Sequence, residues 1–234
     1  RGLGALVCLG VSPARLDAQA DTVGANASTW GAQPAVGVDT ATLYFVRDGQ
    51  RQLGMLYIET IARVPGGFML VQQNVRPNGA SVTLDTVVLN EGTLAPVWHS
   101  DVTPRGTTRV SFAGGRVRGT ATDTAGVESP VDAAMPMNAI DFSAASTFAR
   151  LLPLRAGYAV VMRTYDIHRG PIYTPVRVLG EETLDIGGTK VKAWKIETIT
   201  AGQPVHHWID QATRKELRVS LTMGPTQMIM ERSP

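Results

Sequence analysis

The sequence predicts a mainly β protein: a highly curved antiparallel sheet or half-barrel, with one or two short helices on its concave face. Three observations carry this. Apolar and polar residues alternate with a period of two through much of the chain after residue 41, as in strands with one dry and one wet face. Gly, Pro, Asn and Asp interrupt these runs at the short intervals that hairpins need. Helical spacing is convincing only near residues 143–152.

Residues 1–20 read as a secretory signal and not as part of the fold. Arg1 precedes an apolar run from Leu3 to Val11, and Ala18-Gln19-Ala20 supplies an A-x-A cleavage site. The run is too short to span a bilayer, so no membrane span is expected in the mature chain. Cleavage would remove Cys8, the single cysteine, leaving a periplasmic protein without disulfides. Val7 replaces the small residue that usually precedes a lipidated cysteine, so no lipid anchor is expected. Residues 21–40 are aperiodic and rich in Ala, Gly, Ser and Thr, and predict a flexible lead-in. Asn26-Ala27-Ser28 matches a glycosylation sequon, of little meaning in a bacterial context. Residues 41–234 then form a single β-rich domain.

Strands are expected at 43–46, 54–62, 68–75, 82–89, 94–102, 108–113 and 116–122, separated by turns such as Asp48-Gly49, Pro77-Asn78-Gly79 and Gly114-Gly115. Asp123 to Asn138, with Pro130 and Pro136, predicts a loop. In the helix, Ala144, Phe148, Leu151 and Leu152 form one stripe. Asp141 or Ser143 can cap it, and Pro153 ends it. Strands resume at 158–165, 176–184, 191–200, 205–210, 215–223 and 226–231. In the clearest of them Leu217, Val219, Leu221 and Met223 point one way, which sets His207 beside Leu217 and Val219, and Glu216 on the opposite face with Trp208. Near Ala193 the apolar parity switches to Trp194 and Ile196, predicting a bulge. A sheet of so many strands must curl or close, with a two-sheet sandwich as the alternative.

Several segments together resemble a known family. They are Leu94-Ala95-Pro96, Leu151-Leu152-Pro153-Leu154-Arg155-Ala156-Gly157, Val178-Leu179-Gly180-Glu181-Glu182, Lys192-Ala193-Trp194-Lys195-Ile196 and His207-Trp208-Ile209-Asp210. The chain from Ala41 to Glu231 is similar to the exported bacterial proteins of the domain-of-unknown-function 3108 family. The resemblance implies a periplasmic curved-sheet protein, similar in general shape to periplasmic lipoprotein carriers. It brings no catalytic residues.

The residues exclude several chemistries. A formal charge of +2 without a Lys/Arg run lacks the footprint of a nucleic-acid binder. There is no G-x-S-x-G elbow, P-loop, dinucleotide fingerprint or H-E-x-x-H. Adjacent His206 and His207 point to opposite faces of a strand and cannot chelate together. His99 and Asp101 share a face but supply two ligands without a third, and His168 falls in a loop. No catalytic residue, metal or cofactor is therefore expected. If the chain were an enzyme, His99, Asp101 and His207 would be its best candidates. What remains is apolar: Trp98, Phe148, Leu152 and Trp194, with eight methionines. These four are the expected lining of a gap between sheet and helix that takes a lipid or other apolar molecule. The alternatives are an ordinary packed core, or an envelope protein that docks a partner through a sheet edge or the 123–138 loop.

Overall fold

A computed structural model describes residues 21–25, 30–200 and 202–232. The signal segment, Cys8 and the Asn26 sequon lie outside them. The order is β1 (Thr22–Val23), β2 (Gly37–Arg47), β3 (Gln50–Val64), β4 (Gly67–Val75), β5 (Ser81–Asn90), β6 (Pro96–Thr103), β7 (Gly106–Ala113), β8 (Arg116–Asp123), β9 (Glu128–Ala134) and β10 (Ile140–Asp141). The helix α1 (Ala145–Leu151) follows, then β11 (Ala159–Asp166), β12 (Gly170–Ile186), β13 (Thr189–Thr200), β14 (Gln203–Asp210), β15 (Glu216–Met223) and β16 (Thr226–Arg232).

All belong to one 16-stranded sheet, running β1-β11-β12-β13-β14-β15-β16-β2-β3-β4-β5-β6-β7-β8-β9. Consecutive strands pair as antiparallel hairpins, while β1 and β10 both pair with β11 in parallel. The sheet is antiparallel as expected apart from these two short parallel pairings, which make it mixed at this edge. The sheet is curved but not closed into a barrel. One buried cluster explains the curvature. Phe148 and Leu151 of α1, with Leu152 just after it, pack with Ile61, Phe68 and Leu70 of β3–β4 and also with Met162, Val178 and Ile196 of β11–β13. Those strand groups are far apart in the sheet, so the sheet must wrap around the helix for both to touch it. The ends of the sheet approach each other as well, because Val110 and Val117 pack with Ala139 and Tyr165.

The lead-in reading of residues 21–40 is corrected. Val23, Ala25 and Trp30 are buried in the main cluster, and Trp30 lies 5.0 Å from Phe148, ring centre to ring centre. Backbone bonds hold the segment: Ala25 donates to Asn138 at 2.6 Å and Gly31 to Leu151 at 2.7 Å. At Gly24 a Cβ would lie 1.9 Å from the Asn138 carbonyl oxygen, so only glycine permits this approach. Of the segment's described residues, 24–25 and 30–36 belong to no strand, and Trp30 is the largest side chain that they bury.

Three local expectations also change. The 123–138 loop contains β9, an edge strand that tolerates Pro130 because one side of its backbone needs no ladder bond. The helix begins at Ala145 with no side-chain cap. Asp141 bonds the Ser143 N–H at 2.9 Å instead, one turn before the helix. Finally, β13 has no bulge at Ala193. Ala193 is buried with Leu184, Trp208 and Leu217 in a second cluster, whereas Trp194 and Ile196 pack with the main one. The parity change reflects burial on both faces of this strand.

Candidate functional site

The inner face of β11–β14 carries an unusual share of β-branched hydroxyl residues. Thr174, Val176 and Val178 alternate inward on β12, and Ile196, Thr198 and Thr200 share one parity on β13. Both positions suit strands, since a threonine fills the pleat like valine. Unlike valine, it brings a hydroxyl that must find a partner when buried. On the paired strand β14, His207 lies opposite Ile196, two residues along from Thr198 and on the same face.

The partner of His207 comes from a bulge. Trp208 pairs with Arg218 but Ile209 pairs with Glu216, so Leu217 is the extra residue of β15. The bulge corrects the expected alternation: Leu217 turns to the outer cluster with Trp208, and Glu216 turns inward beside His207. His207 Nδ1 lies 2.7 Å from Glu216 Oε1, and its Nε2 lies 3.1 Å from Thr198 Oγ1. A carboxylate only accepts, so Nδ1–H donates to Glu216 and Nε2 accepts the Thr198 hydroxyl proton.

These groups border a cleft of about 240 Å³ between the flank of α1 and strands β11–β14. Phe142, Met162 and Val205 form its apolar wall, and Ser143, Ser146, Thr174, Thr198 and Thr200 supply hydroxyls. Thr174 is 2% exposed, yet its Oγ1 has no hydrogen-bond partner among the described residues.

The hydroxyl–imidazole–carboxylate order is that of an activated nucleophile. The backbone argues against that role. Thr198 lies mid-strand, paired with Val176 on one side and Val205 on the other, so its peptide groups belong to the ladder. It has no free N–H of the kind that a strand-to-helix elbow aims at a developing oxyanion.

Deeper in the fold, Arg150 of α1 pairs with Glu59 of β3, both buried, with Thr147 and Tyr57 also reaching the Glu59 carboxylate. Burial, with the Glu59 and Glu216 charges, pushes the Tyr57 hydroxyl well above its ordinary pKa. On the opposite side of the helix start, His99 sits between two carboxylates. Its Nδ1 is 2.8 Å from Asp141 Oδ2, and its Nε2 is 3.0 Å from Asp85 Oδ1 without hydrogen-bond alignment. Ser143 Oγ donates to the other Asp85 oxygen at 2.8 Å. A wider cleft of about 920 Å³ opens near the turns after β6 and β11. Its acids are committed: Asp101 to His168 at 2.8 Å, Asp166 to Arg169, and Asp123 to backbone N–H groups.

Of the residues expected to line an apolar gap, Phe148 and Leu152 are wholly buried in the main core, and Trp194 packs half-buried against it. Trp98 has the opposite parity to buried His99 and lies half-buried on the other face of β6. None of the four borders the two clefts above. His99 and Asp101, paired in the sequence as two metal ligands, serve different partners. No group of three or more metal-ligating acids, histidines or cysteines occurs among the described residues. Thr198 and Thr200 were readable only as hydroxyls within the strand expected at 191–200, and Thr174 falls before the strand expected at 176–184.

Fold and site together define a curved-sheet protein with a hydroxyl-lined cleft beside its single described helix. The family model described as "Protein of unknown function (DUF3108)" matches residues 28–231, and the chain belongs to that family. No curated protein matches it. The solved structure of the hypothetical lipoprotein YmcC from Escherichia coli (K12) is similar at 12% identity, covering 83% of each chain with a TM-score of 0.28. Among the described residues no helix is long and apolar enough to cross a membrane.

Proposed function

We propose that this is an exported, non-catalytic protein of the bacterial periplasm that holds a small, partly apolar molecule between helix and sheet. The ligand position is the cleft lined by Met162, Thr174, Thr198 and His207, beside the Phe148 core and not within it. One observation carries the reading. The Thr174 hydroxyl is buried without a protein partner at the wall of a cleft large enough for several atoms of ligand. Leaving such a group unpaired costs about 1–3 kcal/mol, which a bound molecule recovers. Export rests on the signal-like residues 1–20. Docking of an envelope protein along the β9 edge is less well supported, because Pro130 and Asp132 blunt that edge.

Native mass spectrometry of protein recovered from the periplasm tests this. The expected result is a mature chain starting at Asp21 that carries a small-molecule adduct, and an adduct that is depleted in Thr174→Val. A chain that carries no adduct, with or without the substitution, contradicts it.

A further inference from the structure

Resting on that reading of the cleft, we infer that its ligand is an uncharged, hydroxyl-bearing molecule, such as a short neutral acylglycerol, and not a free fatty acid or a phosphate ester. The lining includes five hydroxyls and one imidazole, and no Lys, Arg, Asp or Glu. An anionic head would lose its water there without gaining a cation. The nearest charge behind the imidazole is the Glu216 carboxylate, which repels it further.

The hydrogen-bond inventory points the same way. Nε2 of His207 takes the Thr198 proton, so Thr198 turns only lone pairs toward the cleft, while Thr174 offers both a donor and an acceptor. The site therefore has an excess of acceptors, which a ligand hydroxyl satisfies and a carboxylate does not. Phe142, Met162 and Val205 provide room for a short apolar portion. A volume of 240 Å³ equals about eight water molecules, so the site takes a headgroup and a few carbons, and a full-length acyl chain would extend beyond it.

Two probes separate the possibilities by calorimetry at pH 8, with the mature chain: 1-monooctanoylglycerol and sodium octanoate, which share a chain and differ in head charge. The expected result is at least tenfold tighter binding of the glyceride. Thr174→Val should weaken it about 3–10-fold, the worth of one neutral hydrogen bond. The same substitution should leave the ligand-free melting temperature unchanged or raised, since it removes an unpaired buried hydroxyl without changing shape. Equal or tighter binding of octanoate, or a glyceride affinity indifferent to Thr174→Val, overturns the ligand class while leaving a binding cleft. Binding of neither probe, with the protein folded, overturns the cleft reading and this inference with it.

Discussion

His99 on β6 and Asp141 on β10 meet at 2.8 Å, joining strands that lie near opposite ends of the sheet. With Asp85 and Ser143 they form a polar clasp across a curve that backbone hydrogen bonds leave open. Burial alone would lower the His99 pKa. The Asp141 hydrogen bond and the charges of Asp141 and Asp85 outweigh it and push the value up to about 10. Burial pushes the Asp141 carboxyl up, against the pull of His99.

The clasp should therefore show in the pH dependence of stability. The native protein keeps the His99 proton up to about pH 10, while the unfolded chain releases it near the ordinary value of 6.5. Its contribution is complete below pH 6.5 and is lost as pH rises toward 10. Denaturant melts from pH 6 to 10 should show falling stability in the parent and a flatter profile in His99→Gln. A parent profile that is flat or rising across that window contradicts the assignment.

The Arg150–Glu59 pair should be costly to break and cheap to replace. Arg150→Ala leaves the Glu59 carboxylate buried and unpaired, and should cost about 3–5 kcal/mol. Glu59→Gln with Arg150→Met should recover part of that loss, because the Glu59 charge goes with its partner while Glu216 keeps its contact with His207. Equilibrium unfolding of the two variants distinguishes these outcomes, and a double variant no better than the single one would refute the account.

Phe148 should behave as a packed core residue. It is fully buried against Trp30 and both sheet halves, so Phe148→Ala should cost about 3–5 kcal/mol. Trp30→Ala should destabilise on the same scale, since the N-terminal plug shares that core. A loss well under 1 kcal/mol for Phe148→Ala, read by urea titration, would mean that the space around it is open.

Period and punctuation were enough to place the strands from β2 to β8 and from β11 to β16, because most expose one face and end at a Gly, Pro, Asn or Asp turn, but they missed the first residues of β2 and β12. They could not show where a ladder skips a residue. The Leu217 bulge reverses which of Glu216 and Leu217 faces inward, and with that reversal the His207–Glu216 contact went unseen. The Trp30 plug was hidden for a different reason. Irregular backbone has no period, and its burial depends on contacts with Phe148, more than a hundred residues away. Two-residue strands such as β1 and β10 carry no pattern at all. The threonine cleft left a faint trace in the hydroxyls at 198 and 200, while Thr174 lay outside the strand expected at 176–184.

The central claim is that a ligand enters the cleft between α1 and β11–β14, and the methionines report on it directly. Met162 borders the cleft at 1% exposure, whereas Met137 and Met223 lie on the surface elsewhere. The decisive measurement is a titration of methyl-labelled methionine protein with 1-monooctanoylglycerol, followed by NMR. The predicted result is a saturable shift of the Met162 methyl resonance with Met137 and Met223 unmoved, lost or weakened in Thr174→Val. Shifts confined to Met137 or Met223, or no shift at any methionine, would contradict it.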